Sequence, residues 1–242
     1  MSRTKIVATI GPASNKPDII RRMLHAGMNV ARINFSHGSH ESHTETISLL
    51  RQVAKDEKKI LAILGDLQGP KLRLGRFESI PVEAGDLVTL TVDPDDTKNI
   101  PLPHPELIDA LQPGARMVLG DGEMELKVID KTDTQLICTS LFTGLLEQRK
   151  GINTPGTRLP ISSITEKDIH DLSLICGLNL DFVALSFVRT ADDINELRGL
   201  MAEQNCDIPI IAKIEKFEAI EDLEAIAQAS DGMMVARGDL GI

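Results

Sequence analysis

The chain has no tryptophan and no tyrosine, and six phenylalanines are its only large aromatic residues. Proteins that bind single-stranded nucleic acid lay bases on aromatic faces, and this chain has few to offer. It also lacks an excess of positive charge, with a net charge of −10 and an isoelectric point near 5.1. That argues against nucleic acid or an anionic membrane surface as a partner, so cations that meet an anionic substrate must be placed locally. No stretch approaches the roughly 20 apolar residues of a membrane span. The opening Met1-Ser2-Arg3-Thr4-Lys5 runs into an apolar segment without a signal-peptide core. Only three cysteines are present, Cys138, Cys176 and Cys206, far apart and without paired spacing. They read as free thiols in a reducing compartment, and a cytoplasmic protein is the expectation.

What is present is a set of six short apolar runs, at 6–10, 29–37, 60–66, 182–187, 208–215 and 233–239. Runs that are apolar on both faces suit a buried parallel sheet. Helix signals lie between them. Pro17 opens a segment that closes at Gly27, and Thr165-Glu166-Lys167-Asp168 and Thr190-Ala191-Asp192-Asp193 resemble capping boxes. Apolar stripes at helical spacing follow: Ile169, Leu172 and Ile175; Ile194, Leu197 and Met201; and, over 218–229, Ile220, Leu223 and Ile226. Strand, polar tip and helix recur roughly every 25 to 30 residues, the signature of successive βα units.

From about Pro70 to Gly156 the texture changes. Segments 88–92, 116–119, 123–129 and 135–139 alternate or carry β-branched residues, and Asp121-Gly122 is a hairpin signal between two of them. Pro101, Pro103, Pro105 and Pro113 are expected to break helices there. The fold class read from this is α/β: a TIM (β/α)8 barrel, incomplete in this chain at about six strands, with an inserted all-β domain. The barrel domain is expected over 1–69 and 158–242, and the inserted β-barrel domain over 70–157. Two further βα units would take roughly 50 more residues.

In a parallel barrel the C-terminal strand ends form the active-site rim. Lys213 and Glu215 lie two apart on one strand and share a face. They suit a carboxylate that holds a divalent metal beside an ammonium that steadies a developing oxyanion, or a structural ion pair. Arg237-Gly238-Asp239 offers a close backbone approach and a hard oxygen ligand for Mg²⁺ or Mn²⁺, or a plain turn. Arg32, Asn34 and Ser36 alternate along the second run and Asp66 ends the third. They suit a phosphate, a monovalent cation, or a polar network that closes the barrel mouth. His37, His40 and His43 recur every three residues; a strand end followed by a helix start accounts for them better than a transition-metal site. Segment 65–73, with Lys71 and Arg73, reads as a hinge bearing cations, or as a solvated linker.

Asn34-Phe35-Ser36-His37-Gly38, Gly69-Pro70-Lys71-Leu72-Arg73, the segment 208–215 ending Lys213-Ile214-Glu215, and Met234-Val235-Ala236-Arg237-Gly238-Asp239-Leu240-Gly241 together resemble the pyruvate kinase family, in its order and over the full chain. The resemblance implies a barrel with a β domain inserted as a lid, and a further C-terminal domain absent from this chain. It implies phosphoryl transfer from phosphoenolpyruvate to ADP, giving pyruvate and ATP, in a homotetramer. On matching positions, Glu215 and Asp239 hold Mg²⁺ or Mn²⁺, and Lys213 steadies the transition state and the enolate. Arg32 and Arg73 grip phosphate groups, and Gly238 and Asp239 contact substrate. Asn34, Phe35, Ser36, His37, Arg73 and Lys167 lie on the nucleotide side. Asn34, Ser36, Asp66 and Leu67 make a monovalent-cation site. The sequence departs from the potassium-dependent pattern: Lys71 stands where those members have glutamate, after Leu67-Gln68 in place of Thr-Lys. A fixed ammonium there replaces the potassium charge, so K⁺ is not expected to be required. The missing strands also lead to the expectation that the chain alone is inactive. The competing readings are a non-catalytic ligand-binding fragment and another metal-dependent barrel enzyme that handles phosphoenolpyruvate or a related enolate.

Overall fold

The computed structural model describes residues 4–120, 122–157 and 159–236. The chain begins with β1 (Ile6–Thr9), α1 (Pro17–His25), β2 (Met28–Asn34), α2 (His40–Asp56) and β3 (Ala62–Asp66). It continues through β4 (Ile80–Val82), β5 (Leu87–Thr91), β6 (Ile100–Pro101), α3 (Pro105–Ala110), β7 (Arg116–Leu119), β8 (Met124–Lys131), β9 (Gln135–Ser140), β10 (Gly144–Leu146) and β11 (Ile152–Asn153). It then returns to alternation with α4 (Glu166–Gly177), β12 (Phe182–Leu185), α5 (Ala191–Glu203), β13 (Ile210–Ile214), α6 (Phe217–Glu221), α7 (Leu223–Ala229) and β14 (Gly232–Val235). Two compact units result. One is the chain up to Gly69 with Ser163–Ile214 and Asp222–Val235; the other is Pro70–Ser162 with Glu215–Glu221.

The first unit is a six-stranded parallel sheet in the order β1-β2-β3-β12-β13-β14. With its helices this is a TIM-type α/β sheet, incomplete at six strands. Each of the six apolar runs supplies one strand, but several strands stop short of the ends of their runs. β2 ends at Asn34 and β12 at Leu185, because the next residues turn; Phe187 adopts a φ of 55°. Ile60 precedes β3 and is exposed. Helix starts follow local chemistry: Ser39 caps α2 in a capping box with Ser42, and Thr165 caps α4 in one with Asp168. On α4 the buried face is Leu172 and Ile175 with Asp168 and Asp171, whereas Ile169 of the expected stripe is exposed. Gly65 of β3 is a close-approach position: a Cβ there would stand 2.7 Å from Ile175 Cδ1, so a side chain would force the Ile175 side chain of α4 to shift.

The expected helix over 218–229 is two helices, α6 and α7, broken at Asp222. The Asp222 carboxylate accepts from the Ala191 N–H at 2.9 Å, and Ile220 and Leu223 of the expected stripe are exposed. The cysteine reading is also corrected. Cys176, in the last turn of α4, and Cys206, after α5, form a disulfide with Cα atoms 5.6 Å apart, so only Cys138 is a free thiol. Helix ends on one side of the sheet brought them together, which no sequence spacing records.

The second unit is a largely antiparallel sheet, β11-β7-β8-β9-β5-β6, with a separate β4–β10 ribbon. Along β9 buried residues alternate with partly exposed ones, the period of a strand with one face on the core. Leu90, Leu102, Leu107, Met117, Leu126 and Leu136 fill that core. β7 and β8 pair antiparallel on either side of 120–123, as a hairpin signal there implies; Asp121 itself lies outside the described residues. Pro105 starts the short α3 rather than breaking a helix, since proline's missing N–H costs nothing in a first turn. Among the described residues no helix is long and apolar enough to cross a membrane.

Candidate active site

Four neighbouring strands, β2, β3, β12 and β13, each deliver a polar group near their C-terminal ends. Asp66, 1% exposed, ends β3. Arg32 of β2 donates from Nε to Asp66 Oδ2 at 2.6 Å, and its Nη2 reaches the same oxygen. Nη1 of Arg32 donates to Thr9 Oγ1 at 2.8 Å, which fixes the guanidinium plane against β1. On the other side Lys213 of β13, 8% exposed, places Nζ 3.3 Å from Asp66 Oδ1 and donates to Ser186 Oγ at 2.8 Å. Ser186 follows β12 and donates to the Leu67 carbonyl at 2.6 Å. One buried carboxylate therefore lies between two cations. That arrangement compensates charges whose separate burial would be costly, and leaves the three residues together with one positive charge in excess.

The turn after β2 is a second cluster. Asn34 Oδ1 accepts from the Ser36 N–H at 3.0 Å, and the buried Phe35 donates its N–H to the Asp66 carbonyl at 3.0 Å. Lys167, in the first turn of α4, donates to the Phe35 carbonyl at 2.6 Å and to Asp171 Oδ2 at 2.5 Å. Asp171 Oδ1 lies 2.7 Å from His40 Nε2. The His43 ring packs on Phe35 with centroids 4.4 Å apart, and burial pushes its pKa below the ordinary 6.5. Of the three histidines, His37 is in the turn, His40 opens α2 and His43 is buried. Gly38, His40, His43, Lys167, His170 and Asp171 line a cavity of about 510 Å³.

The remaining expected site residues stand elsewhere. Arg73, in the second unit, donates its N–H to His104 Nε2 at 3.0 Å and Nη1 to the Arg149 carbonyl at 2.6 Å. Lys71 is exposed in the same unit. Glu215 lies one residue past β13 and is 3% exposed, a carboxylate suited by hardness and burial to a divalent cation. Gly238 and Asp239 lie outside the described residues, as does Arg237.

A family model described as the pyruvate kinase barrel domain matches residues 1–242. The chain belongs to the pyruvate kinase family. It is 44% identical over 248 aligned positions to pyruvate kinase 2 of a Synechocystis species, covering 99% of this chain and 42% of that protein. It is 42% identical to a pyruvate kinase of Staphylococcus aureus, covering 100% of this chain and 42% of that protein. A crystal structure of a pyruvate kinase from Cryptosporidium parvum superposes with a TM-score of 0.93 at 35% identity, over 98% of this chain and 51% of that chain. The chain thus spans less than half the length of these two curated relatives.

Within this member of the family two residues escaped the motif reading. Ser186 looked like the end of an apolar strand. Asp171 is in no motif, although its i, i+4 spacing from Lys167 is a local clue. Neither has a signal that points to its partner across the sheet.

Proposed function

We propose that this chain carries the phosphoenolpyruvate and metal site of a pyruvate kinase, transferring the phosphoryl group to ADP with release of pyruvate and ATP. The observation that supports this best is the Arg32–Asp66–Lys213 group near the C-terminal ends of β2, β3 and β13. In the reaction the bond from phosphorus to the enol oxygen breaks and one to a terminal ADP oxygen forms; the enolate carbon then takes up a proton. Positioning and charge neutralisation are what such a transfer needs most. Lys213 is assigned to the oxygen that becomes the enolate, and Arg32 to the phosphoryl oxygens. Arg73 is assigned to phosphate, and Gly238 and Asp239 to substrate. Asn34, Phe35, Ser36, His37 and Lys167 are assigned to the nucleotide side.

Glu215 and Asp239 would hold Mg²⁺ or Mn²⁺, which when bound neutralises charge on substrate oxygens. Potassium is taken to be dispensable. Lys71 supplies a fixed positive charge, and three oxygen-bearing residues of the expected monovalent site already have partners in the chain: Asp66 with Arg32 and Lys213, Asn34 with Ser36, and Leu67 with Ser186. Residues 1–69 with 158–242 are taken as the barrel domain and 70–157 as the inserted β-barrel lid domain, in a homotetramer. A cytoplasmic location rests on the proposed reaction alone, since the argument from three free thiols falls with the disulfide.

Titration calorimetry of the chain with phosphoenolpyruvate, with and without Mg²⁺, is the test. We expect Mg²⁺-dependent binding that is lost in Asp239→Ala; binding unchanged by that substitution would remove the metal assignment. For the monovalent cation, binding is expected to be equal in K⁺ and in a bulky organic cation, and Lys71→Glu is expected to make it K⁺-dependent. A K⁺ requirement in the parent chain would overturn that part.

A further inference from the structure

Ser186 belongs to none of the motifs, yet it is buried to 3% exposure between Lys213 and the main chain after β3. The direction of its hydrogen bonds follows from chemistry. An ammonium has no lone pair, so Lys213 donates and the Ser186 oxygen accepts, at 2.8 Å. The single hydroxyl proton is then given to the Leu67 carbonyl at 2.6 Å. The end of this relay is itself held, because the Leu67 N–H donates to the Ala184 carbonyl at 3.0 Å. The start is held too. Ser186 is followed by Phe187 at a φ of 55°, a conformation a bulky residue keeps only when its surroundings impose it, and the Phe187 carbonyl accepts from Ser163 Oγ at 3.1 Å.

Asp66, at 3.3 Å, gives Lys213 an opposite charge, but a point charge on a four-carbon stem is not aimed by charge alone. We propose that Ser186 is a positioning residue whose hydroxyl fixes where the Lys213 ammonium stands at the strand ends. Without it the ammonium relaxes towards Asp66 and away from the oxygen on which negative charge develops. This rests on the reading of Lys213 given above for its functional part, and on the geometry alone for the placement of the ammonium.

The test uses the full chain with lysine labelled at Nζ, and oxalate as a planar dianion that resembles the enolate of pyruvate. In the parent the Lys213 ammonium resonance is expected to be protected from solvent exchange. In Ser186→Ala it is expected to broaden or shift, and oxalate affinity to fall about tenfold, the size of one lost charge-assisted hydrogen bond. Ser186→Thr keeps the hydroxyl and is expected to restore both. Ser186→Cys fills the volume with a poor acceptor and is expected to behave as Ser186→Ala, which separates positioning from packing. No protected Lys213 signal in the parent, or an unchanged one in Ser186→Ala, overturns the proposal. If Lys213→Ala leaves oxalate affinity intact while Ser186→Ala still moves the resonance, the role assigned to Lys213 fails and the placement by Ser186 stands.

Discussion

His43 is an imidazole packed on Phe35 with little access to water, and its surroundings are mixed in charge: Asp171 favours its protonation, and Lys167 and His40 oppose it. Burial is the largest influence, so the folded ring resists a proton that the unfolded chain accepts near pH 6.5. The sign follows. Above about pH 6.5 both states leave the ring neutral and the contribution to stability is complete; below it the unfolded state binds the proton first, and stability is lost as pH falls towards the lowered pKa. The loss is bounded at about 1.4 kcal/mol per pH unit. Urea unfolding of the parent and of His43→Gln at pH 7.5 and 5.5 is the check. The gap between the two proteins is expected to narrow at the lower pH, and a constant gap would show that His43 takes no part. At this scale the motifs were readable and their partners were not. Asp66 is a polar residue ending an apolar run, whereas its simultaneous hold on Arg32 and Lys213 depends on the strand order, which sets β2 beside β3 and β13 one strand beyond it.

Among the elements, α4 is held at both ends by different means. Its N-terminal turn is tied by Asp168, which accepts from the Gly69 N–H at 3.2 Å and closes the capping box with Thr165, and by Lys167 on the Phe35 carbonyl. Its last turn is tied by the Cys176–Cys206 disulfide across 30 residues. Closing a loop of that size in the unfolded chain corresponds to about 3–4 kcal/mol. Denaturant unfolding with and without reductant is expected to show a loss of that order, and Cys206→Ser to show the same loss with no further response to reductant. A midpoint that ignores reductant in the parent would dismiss the bridge. A thiol titration gives a second readout. Burial raises the Cys138 pKa to about 12, so the native chain is expected to show no reactive thiol until it is reduced or unfolded. The capping boxes that start α4 and α5 are legible in the sequence because they are local, within three residues. The break between α6 and α7 was not, because Asp222 bonds to the Ala191 N–H on a different element.

For the whole molecule, the first unit's sheet ends on β1 and β14, each paired on one side only among the described residues. Ile6 and Val7 on one edge, and Met233 and Val235 on the other, are exposed. Unpaired apolar edges template association with other chains. The chain is therefore expected to elute with an apparent mass that rises with concentration, and Val7→Lys with Val235→Lys to suppress that rise. Concentration-independent elution of the parent would show the edges to be protected. The alternation of apolar runs with helical stripes determined, from sequence alone, the α/β class, the strand-helix repeat and the switch of texture after Gly69, because period and capping are properties of neighbouring residues. Tertiary structure decided the rest. Ser186 meets the Leu67 carbonyl across 119 residues, and His40 meets Asp171 across 131. Such meetings are set by strand order and by which helix ends share one side of the sheet. A one-dimensional pattern carries no distance between residues so far apart, so the relay behind Lys213 and the disulfide existed only once the chain was folded.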